Sequence, residues 1–187
     1  MAFRLAHLVD TRARAVIEAV TEKAGWKESE KGDGARGRGF GLAKYKNLAT
    51  YVAVVAEIEI DPKTGHIRVP RAFAAADAGQ IINPDGLANQ IEGGLIQSTS
   101  WTLHEAVRFD RDGITSRDWS GYPILTMPEV PEIEVTLIDR PEEKSLGTGE
   151  AAQGPMAAAI ANAFAHATSR RLRDLPFSPE RVRAALG

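Results

Sequence analysis

Two runs of β-branched and aliphatic residues separated by a five-residue turn constrain this chain most. Tyr51-Val-Ala-Val-Val-Ala-Glu-Ile-Glu-Ile60 has the composition of a strand, and Val55, Glu57 and Glu59 mark its side-to-side alternation. Asp61-Pro-Lys-Thr-Gly65 has turn chemistry, and residues 67–75 resume the strand pattern. A hairpin follows, and with it a sheet whose pairing is largely antiparallel.

The segments on either side alternate with this sheet. Asp10 and Thr11 can cap a helix through Ala24, because Val16, Ala19, Val20 and Ala24 recur at helical spacing and Gly25 supplies a stop. Trp26 is expected to pack on that helix. Residues 28–41 shift to glycine and charge, Lys31-Gly-Asp-Gly-Ala-Arg-Gly-Arg-Gly39, and read as a linker or ordered loop. Asn83-Pro84-Asp85 can open a second helix running to about Leu103, in which Leu87, Ile91 and Leu95 are spaced by four. Val107 to Phe109, the turn Arg111-Asp-Gly113 and Ile114 suggest a small second hairpin, and 133–138 alternates as a half-buried strand. Pro155 suits the first turn of a helix to about Ser169, and a short terminal helix follows Pro176 and Pro179. The expected fold class is α+β, a mixed, largely antiparallel sheet packed with helices. The expected organisation is an N-terminal helix with glycine-rich linker over 1–36 and one module over 37–187.

Composition removes several classes of function. The 23 basic and 25 acidic side chains nearly cancel, so no overall field favours nucleic acid or an anionic membrane. Without cysteine the chain can form no disulfide, thiolate metal site or cysteine-ligated iron–sulfur cluster. No stretch approaches the roughly 20 apolar residues of a membrane span, and residues 1–9 lack the apolar core of a signal peptide. A soluble protein is expected, in the cytoplasm or alternatively the periplasm.

The local motifs each admit a plain reading beside a functional one. Ser145-Leu-Gly-Thr-Gly-Glu150-Ala-Ala-Gln-Gly-Pro155 sets a carboxylate among glycines at a helix start. Glu150 is either a partner of the helix dipole or a group on the rim of a pocket. Gln90-Ile-Glu-Gly-Gly-Leu-Ile-Gln97-Ser-Thr-Ser100 places two glycines inside a helix, at roughly 1 kcal/mol each relative to alanine, for close helix packing or for close approach of a ligand that Gln97 can meet. Asp77 and Asn83 read as helix caps. His7, His66, His104 and His166 lack metal-ligand spacing, Ser98 and Ser100 near His104 define no triad, and Arg36 and Arg38 are too few to suggest nucleic acid.

Taken in order, these segments resemble a known family. Tyr51–Ile60, Asp77-Ala-Gly79 with Asn83-Pro84, Gln90-Ile-Glu-Gly-Gly94 with Gln97, Tyr122-Pro-Ile-Leu125, Pro131-Glu-Ile-Glu-Val135 and Gly147-Thr-Gly-Glu150 resemble the C-terminal part of molybdenum-hydroxylase large subunits. These belong to the xanthine dehydrogenase and aldehyde oxidase family, here of the bacterial type acting on isoquinoline, nicotinate or aldehydes. Two positions depart from its pattern, Ser98 where glycine is frequent and Ala151 where proline is. The resemblance implies an oxidoreductase that hydroxylates N-heterocycles or aldehydes with oxygen from water, using a molybdopterin-type molybdenum cofactor. Glu150 would be the catalytic base, Gln97 would hydrogen-bond the cofactor, and the amides around Gly149 would support it, with no metal ligand from this chain. It further implies that the chain alone is inactive and binds no cofactor. Its partners would be the remaining portion of the molybdenum subunit, an iron–sulfur subunit and the small-molecule substrate. The alternative is a non-catalytic assembly or scaffold domain that binds a partner oxidoreductase subunit.

Overall fold

The computed structural model describes residues 1–187. Its centre is a four-stranded sheet of β1 (Arg36–Lys44), β2 (Tyr51–Ile60), β3 (Ile67–Asp77) and β6 (Glu132–Leu137), in the order β1-β2-β3-β6. The expected hairpin is β2–β3, paired antiparallel from Tyr51 opposite Asp77 to Ile60 opposite Ile67, with a register shift between Glu57 and Glu59. The last strand, β6, joins parallel to β3, so the sheet is mixed and mostly antiparallel, as the α+β class predicts.

Both faces of this sheet are covered, and the period of two assigns the residues to them. Val52, Val54, Ala56 and Ile58 of β2 join Ala72, Ala74 and Ala76 of β3 in the larger core, beneath α3 (Pro84–Leu103) and α4 (Gln153–Thr168). Ala53 and Val55 join Phe73 and Ala75 on the other face, against Val16, Ile17 and Val20 of α2 (Thr11–Lys23). Trp26 packs at the edge of this second cluster. Burial on both sides explains why the first six residues of β2 are all apolar, and why charge enters only at Glu57 and Glu59. There Arg38 and Arg71 meet Glu57 from the two neighbouring strands at 3.3 and 3.2 Å.

The glycine-rich segment is not a linker. Arg36–Lys44 forms the edge strand β1, paired antiparallel with the whole of β2. Gly37, Gly39 and Gly41 point to the same face, and a Cβ at any of them would strike the backbone of α4 at Ala163, Ala159 and Pro155 in turn. Glycine weakens a strand in isolation, but here it lets a helix lie directly on the sheet. Ahead of the strand, His166 in α4 fixes the segment as well: Nδ1 accepts from the Arg38 amide at 3.1 Å, and Nε2–H can then donate to the Glu30 carbonyl at 2.9 Å.

The remaining elements are short. α1 (Ala2–His7) precedes α2, β4 (Phe109–Asp110) and β5 (Gly113–Ile114) form the small second hairpin, and α5 (Pro179–Leu186) closes the chain. No helix is long and apolar enough to cross a membrane.

Candidate functional site

Glu150 sits on a long connection between β6 and α4 that the end of β3 holds in place. The Ile138 amide donates to Ala76, the Arg140 amide to Gly79 and the Leu146 amide to Ala78, at 2.9, 3.2 and 2.8 Å. Gly79 has φ 72°, and a Cβ there would strike the Lys144 carbonyl, so glycine is required by both conformation and space. Thr50, buried at the start of β2, donates to the Gly147 carbonyl at 2.9 Å and lies 2.8 Å from the Thr148 hydroxyl. Beyond this point Ala151 and Ala152 enter the core and α4 begins.

Asp77 organises the root of this connection rather than capping α3. Its carboxylate is fully buried and receives the guanidinium groups of Arg12 and Arg140 and, at 3.1 Å, the Gly79 amide. Burial pushes its pKa up, yet the hydrogen bonds from Arg12, Arg140 and Gly79 outweigh that and hold the carboxyl below the ordinary aspartate range. The cap of α3 is Asn83, which accepts from the Gly86 amide at 3.0 Å.

The face of α3 that looks toward the connection carries Gln90, Gly93 and Gln97, spaced by three and four and therefore on one side of the helix. The Gln90 side chain donates to the Gly149 carbonyl. Gln153 Nε2 donates to Gln97 Oε1 at 2.6 Å, which leaves the Gln97 amide nitrogen available as a donor. The Tyr45 hydroxyl reaches Glu150 Oε2 at 2.7 Å from the turn between β1 and β2. Glu150, Gln90 and Gln97 are all exposed. The predicted site residues Glu150 and Gly149 thus lie on one connection, which Gln90 ties to α3, while Gln97 meets Gln153 at the start of α4.

The glycines divide between the two readings open to them. A Cβ at Gly94 would lie 3.1 Å from the Ala152 Cβ at the α4 entry, so glycine here serves close helix packing. Gly93, Gly147, Gly149 and Gly154 face open space, and none of them has a positive φ. No positive φ requires glycine at 147 or 149, and a Cβ at either would meet open space on the connection that carries Glu150. α4 also begins without a side-chain cap, at Ala152. An amide donor, an uncapped helix start and an open glycine rim suit a large polar group such as a pterin phosphate.

Ser98, where the family pattern favours glycine, is buried and donates to the Gln153 carbonyl at 2.7 Å. It therefore supports α4 and does not obstruct the exposed rim. The Ser100 hydroxyl accepts from the Leu125 amide and the Ser98 hydroxyl donates to Gln153, so neither serine side chain bonds the His104 ring. No group of three or more His, Asp or Glu gathers where a metal ion could be held.

Tyr45, Gln153 and the Asp77 triad escaped sequence reasoning. For Tyr45 a faint signal existed: Lys46 and Asn47, both at positive φ, make the tight turn that aims it, and asparagine favours that conformation. Nothing local identifies Arg12 and Arg140 as partners of Asp77, since they lie more than 60 residues away.

Comparison with known proteins agrees with this geometry. The family model for the molybdopterin cofactor-binding domain matches residues 9–131. A nicotinate dehydrogenase subunit of Pseudomonas putida is 44% identical over 198 residues, which cover 99% of this chain and 17% of that protein. The beta subunit of isoquinoline 1-oxidoreductase from Brevundimonas diminuta is 35% identical over 95% of this chain and 22% of its own length. Among solved structures, quinoline 2-oxidoreductase from Pseudomonas putida 86 superposes with a TM-score of 0.69 at 30% identity, covering 73% of this chain and 18% of that one. The chain thus spans about a fifth of the length of these relatives. The family model, these relatives and the shared fold lead to one assignment: the chain belongs to the molybdopterin cofactor-binding domains of the xanthine dehydrogenase and aldehyde oxidase family.

Proposed function

We propose that this chain is the base-bearing module of a molybdenum-dependent hydroxylase of N-heterocycles or aldehydes. The observation that carries the reading is the placement of Glu150 on a connection pinned by Thr50, Ala78 and Gln90, beside a rim of glycines that leaves its front open. Glu150 then accepts the proton of the water that becomes the inserted oxygen, while Tyr45 holds one carboxylate oxygen and leaves the other to act. The Gln97 amide and the start of α4 are the groups that would hold the cofactor, with the connection at Gly149 alongside. When bound, the cofactor would supply a metal centre that acidifies water and takes up the electron pair. The electrons leave through an iron–sulfur partner subunit, since this chain has no cysteine with which to hold a cluster.

The module needs the rest of the molybdenum subunit in this reading, because its relatives are about five times longer. Its boundary is drawn at 37–187, with the 1–36 segment supporting it through α2 on the sheet and through the contacts of Glu30. Ser98 and the incomplete cofactor site speak for the alternative of a non-catalytic scaffold, and the burial of Ser98 beneath Gln153 weakens the first of these. The decisive experiment is Glu150→Gln in the complete enzyme: cofactor content unchanged, turnover down by about 10²- to 10⁴-fold, the range of a positioned general base. Retained turnover takes Glu150 out of this role.

A further inference from the structure

The hydrophobic surface of this chain is not evenly spread. Of its eleven exposed large apolar side chains, six fall within 107–127: Val107, Phe109, Ile114, Trp119, Ile124 and Met127. Phe109, Trp119 and Met127 are exposed to 78, 74 and 85%. They ride on an arm that leaves the end of α3, makes the β4–β5 hairpin and returns to the sheet ahead of β6. Bonds within the arm fix its shape, among them Thr115 amide to Arg108 carbonyl at 2.8 Å and Tyr122 amide to Asp118 carbonyl at 2.9 Å. The Tyr122 hydroxyl donates to Glu105 at 2.7 Å and closes the arm on its own first residue, and the arm is tied to the body at its root, where the Leu125 amide donates to Ser100 Oγ at 2.9 Å.

A two-stranded hairpin with exposed aromatic side chains has too little core to hold itself in water. Clusters of exposed Trp, Phe and Met are the composition of a protein interface rather than of a solvated loop. Charge points the same way. Three arginines and four carboxylates lie between Glu105 and Met127, so the arm carries no excess that would draw it to a polyanion or an anionic membrane. At its root Leu103, Leu125 and Pro128, together with the charged Glu59, Arg68 and Glu129, line a cleft of about 460 Å³, a mixed socket of ligand-pocket size beside the apolar arm.

We propose that the 105–127 arm and the cleft at its root form the surface on which the remaining polypeptide of the molybdenum subunit docks. The proposal rests on the reading that this chain is one part of such a subunit. The occupant is identified by size: the relatives carry about four-fifths of their length outside the region this chain matches, and the arm lies within the matched domain. It lies at the far end of α3 from Gln90 and Glu150, so docking here would seat the complement without occupying the glycine rim.

The test pairs this chain with the Pseudomonas putida nicotinate dehydrogenase polypeptide from which the matching 17% has been removed, co-expressed and then titrated. Wild-type chain is expected to form a complex in which amide exchange across 105–127 slows. The double substitution Phe109→Ser and Trp119→Ser, at exposed positions, is expected to weaken the complex at least tenfold while the circular dichroism of the lone chain stays unchanged. Glu150→Gln should bind like wild type, which separates docking from the catalytic role of that residue. Undiminished affinity of the double variant, with exchange across the arm unslowed, overturns the proposal. So does a dimer of the lone chain that the same double substitution dissolves, because the arm would then serve a second copy.

Discussion

The Tyr45 hydroxyl donates to Glu150 Oε2 at 2.7 Å, joining the turn after β1 to a residue 105 positions further along the chain. A donor on one carboxylate oxygen fixes which oxygen faces the open rim. Tyr45→Phe keeps the ring and removes only that restraint, and a hydrogen bond to a charged group is worth about 1.5–3 kcal/mol. Turnover in the complete enzyme should fall about tenfold or somewhat more, with little change in KM. In the lone chain, the three tyrosine ¹³Cζ resonances give a second measure: Glu150→Gln should move the Tyr45 signal and leave those of Tyr51 and Tyr122, which bond Asp10 and Glu105, in place.

Gly39 faces the backbone of α4 at Ala159 and Ala163. Gly39→Ala inserts a methyl group against backbone rather than against a movable side chain, so α4 must lift from β1. Overpacking of this kind costs about 1–3 kcal/mol, and rigid neighbours place this case at the upper end. Gly147→Ala is the control, since its Cβ meets open space at an ordinary φ, and it should stay within about 0.5 kcal/mol. Urea midpoints of the two variants decide the matter.

Asp77 carries the acid sensitivity of the connection that bears Glu150. Its carboxyl titrates below the ordinary value of about 3.9 because Arg12 and Arg140 outweigh the burial that opposes ionisation. The folded state therefore binds fewer protons than the unfolded one near pH 4. The stabilisation is complete above the unfolded pKa and is lost as pH falls through the lower, folded one. Asp77→Asn should flatten the fall of stability below about pH 4, and at neutral pH it should cost on the order of 3 kcal/mol by leaving two guanidinium groups without their carboxylate. Chemical denaturation across pH 2–7 measures both effects.

The lone chain should contain no stoichiometric molybdenum and no pterin when purified, since Gln97 and the α4 start offer only one side of a binding site. Elemental analysis and pterin fluorescence provide the check, and one equivalent of metal per chain would contradict it.

The β2–β3 hairpin, α2, α3 and α4 were legible because each rests on a local signal: alternation, caps, or spacing by three and four. Strand β1 was not. The three glycines that read as a linker acquire their meaning from α4, more than 110 residues later, and a strand that exists to be narrow has no apolar pattern of its own. Asp77 was misread for a similar reason, since an aspartate before a helix resembles a cap until Arg12 and Arg140 arrive from distant positions. Glu150, Gly149 and Gln97 are proposed as site residues through resemblance, whereas their settings in the fold, on Tyr45, Gln90 and Gln153, required the folded chain.

The glycines of β1 and the turns of α4 also share a pitch. Two strand residues advance about 6.6 Å and four helical residues about 6 Å, so Gly41, Gly39 and Gly37 mesh with Pro155, Ala159 and Ala163 as a rack meshes with a gear. A slip of one residue on the strand would drive Arg38 and Phe40 into the helix, so intermediate settings do not exist. Single-residue insertions or deletions within Arg36–Lys44 or Gln153–Thr168 should therefore be excluded in working relatives. The helix that follows Glu150 is thus set along the sheet in fixed steps, and the carboxylate inherits its position from a row of missing side chains.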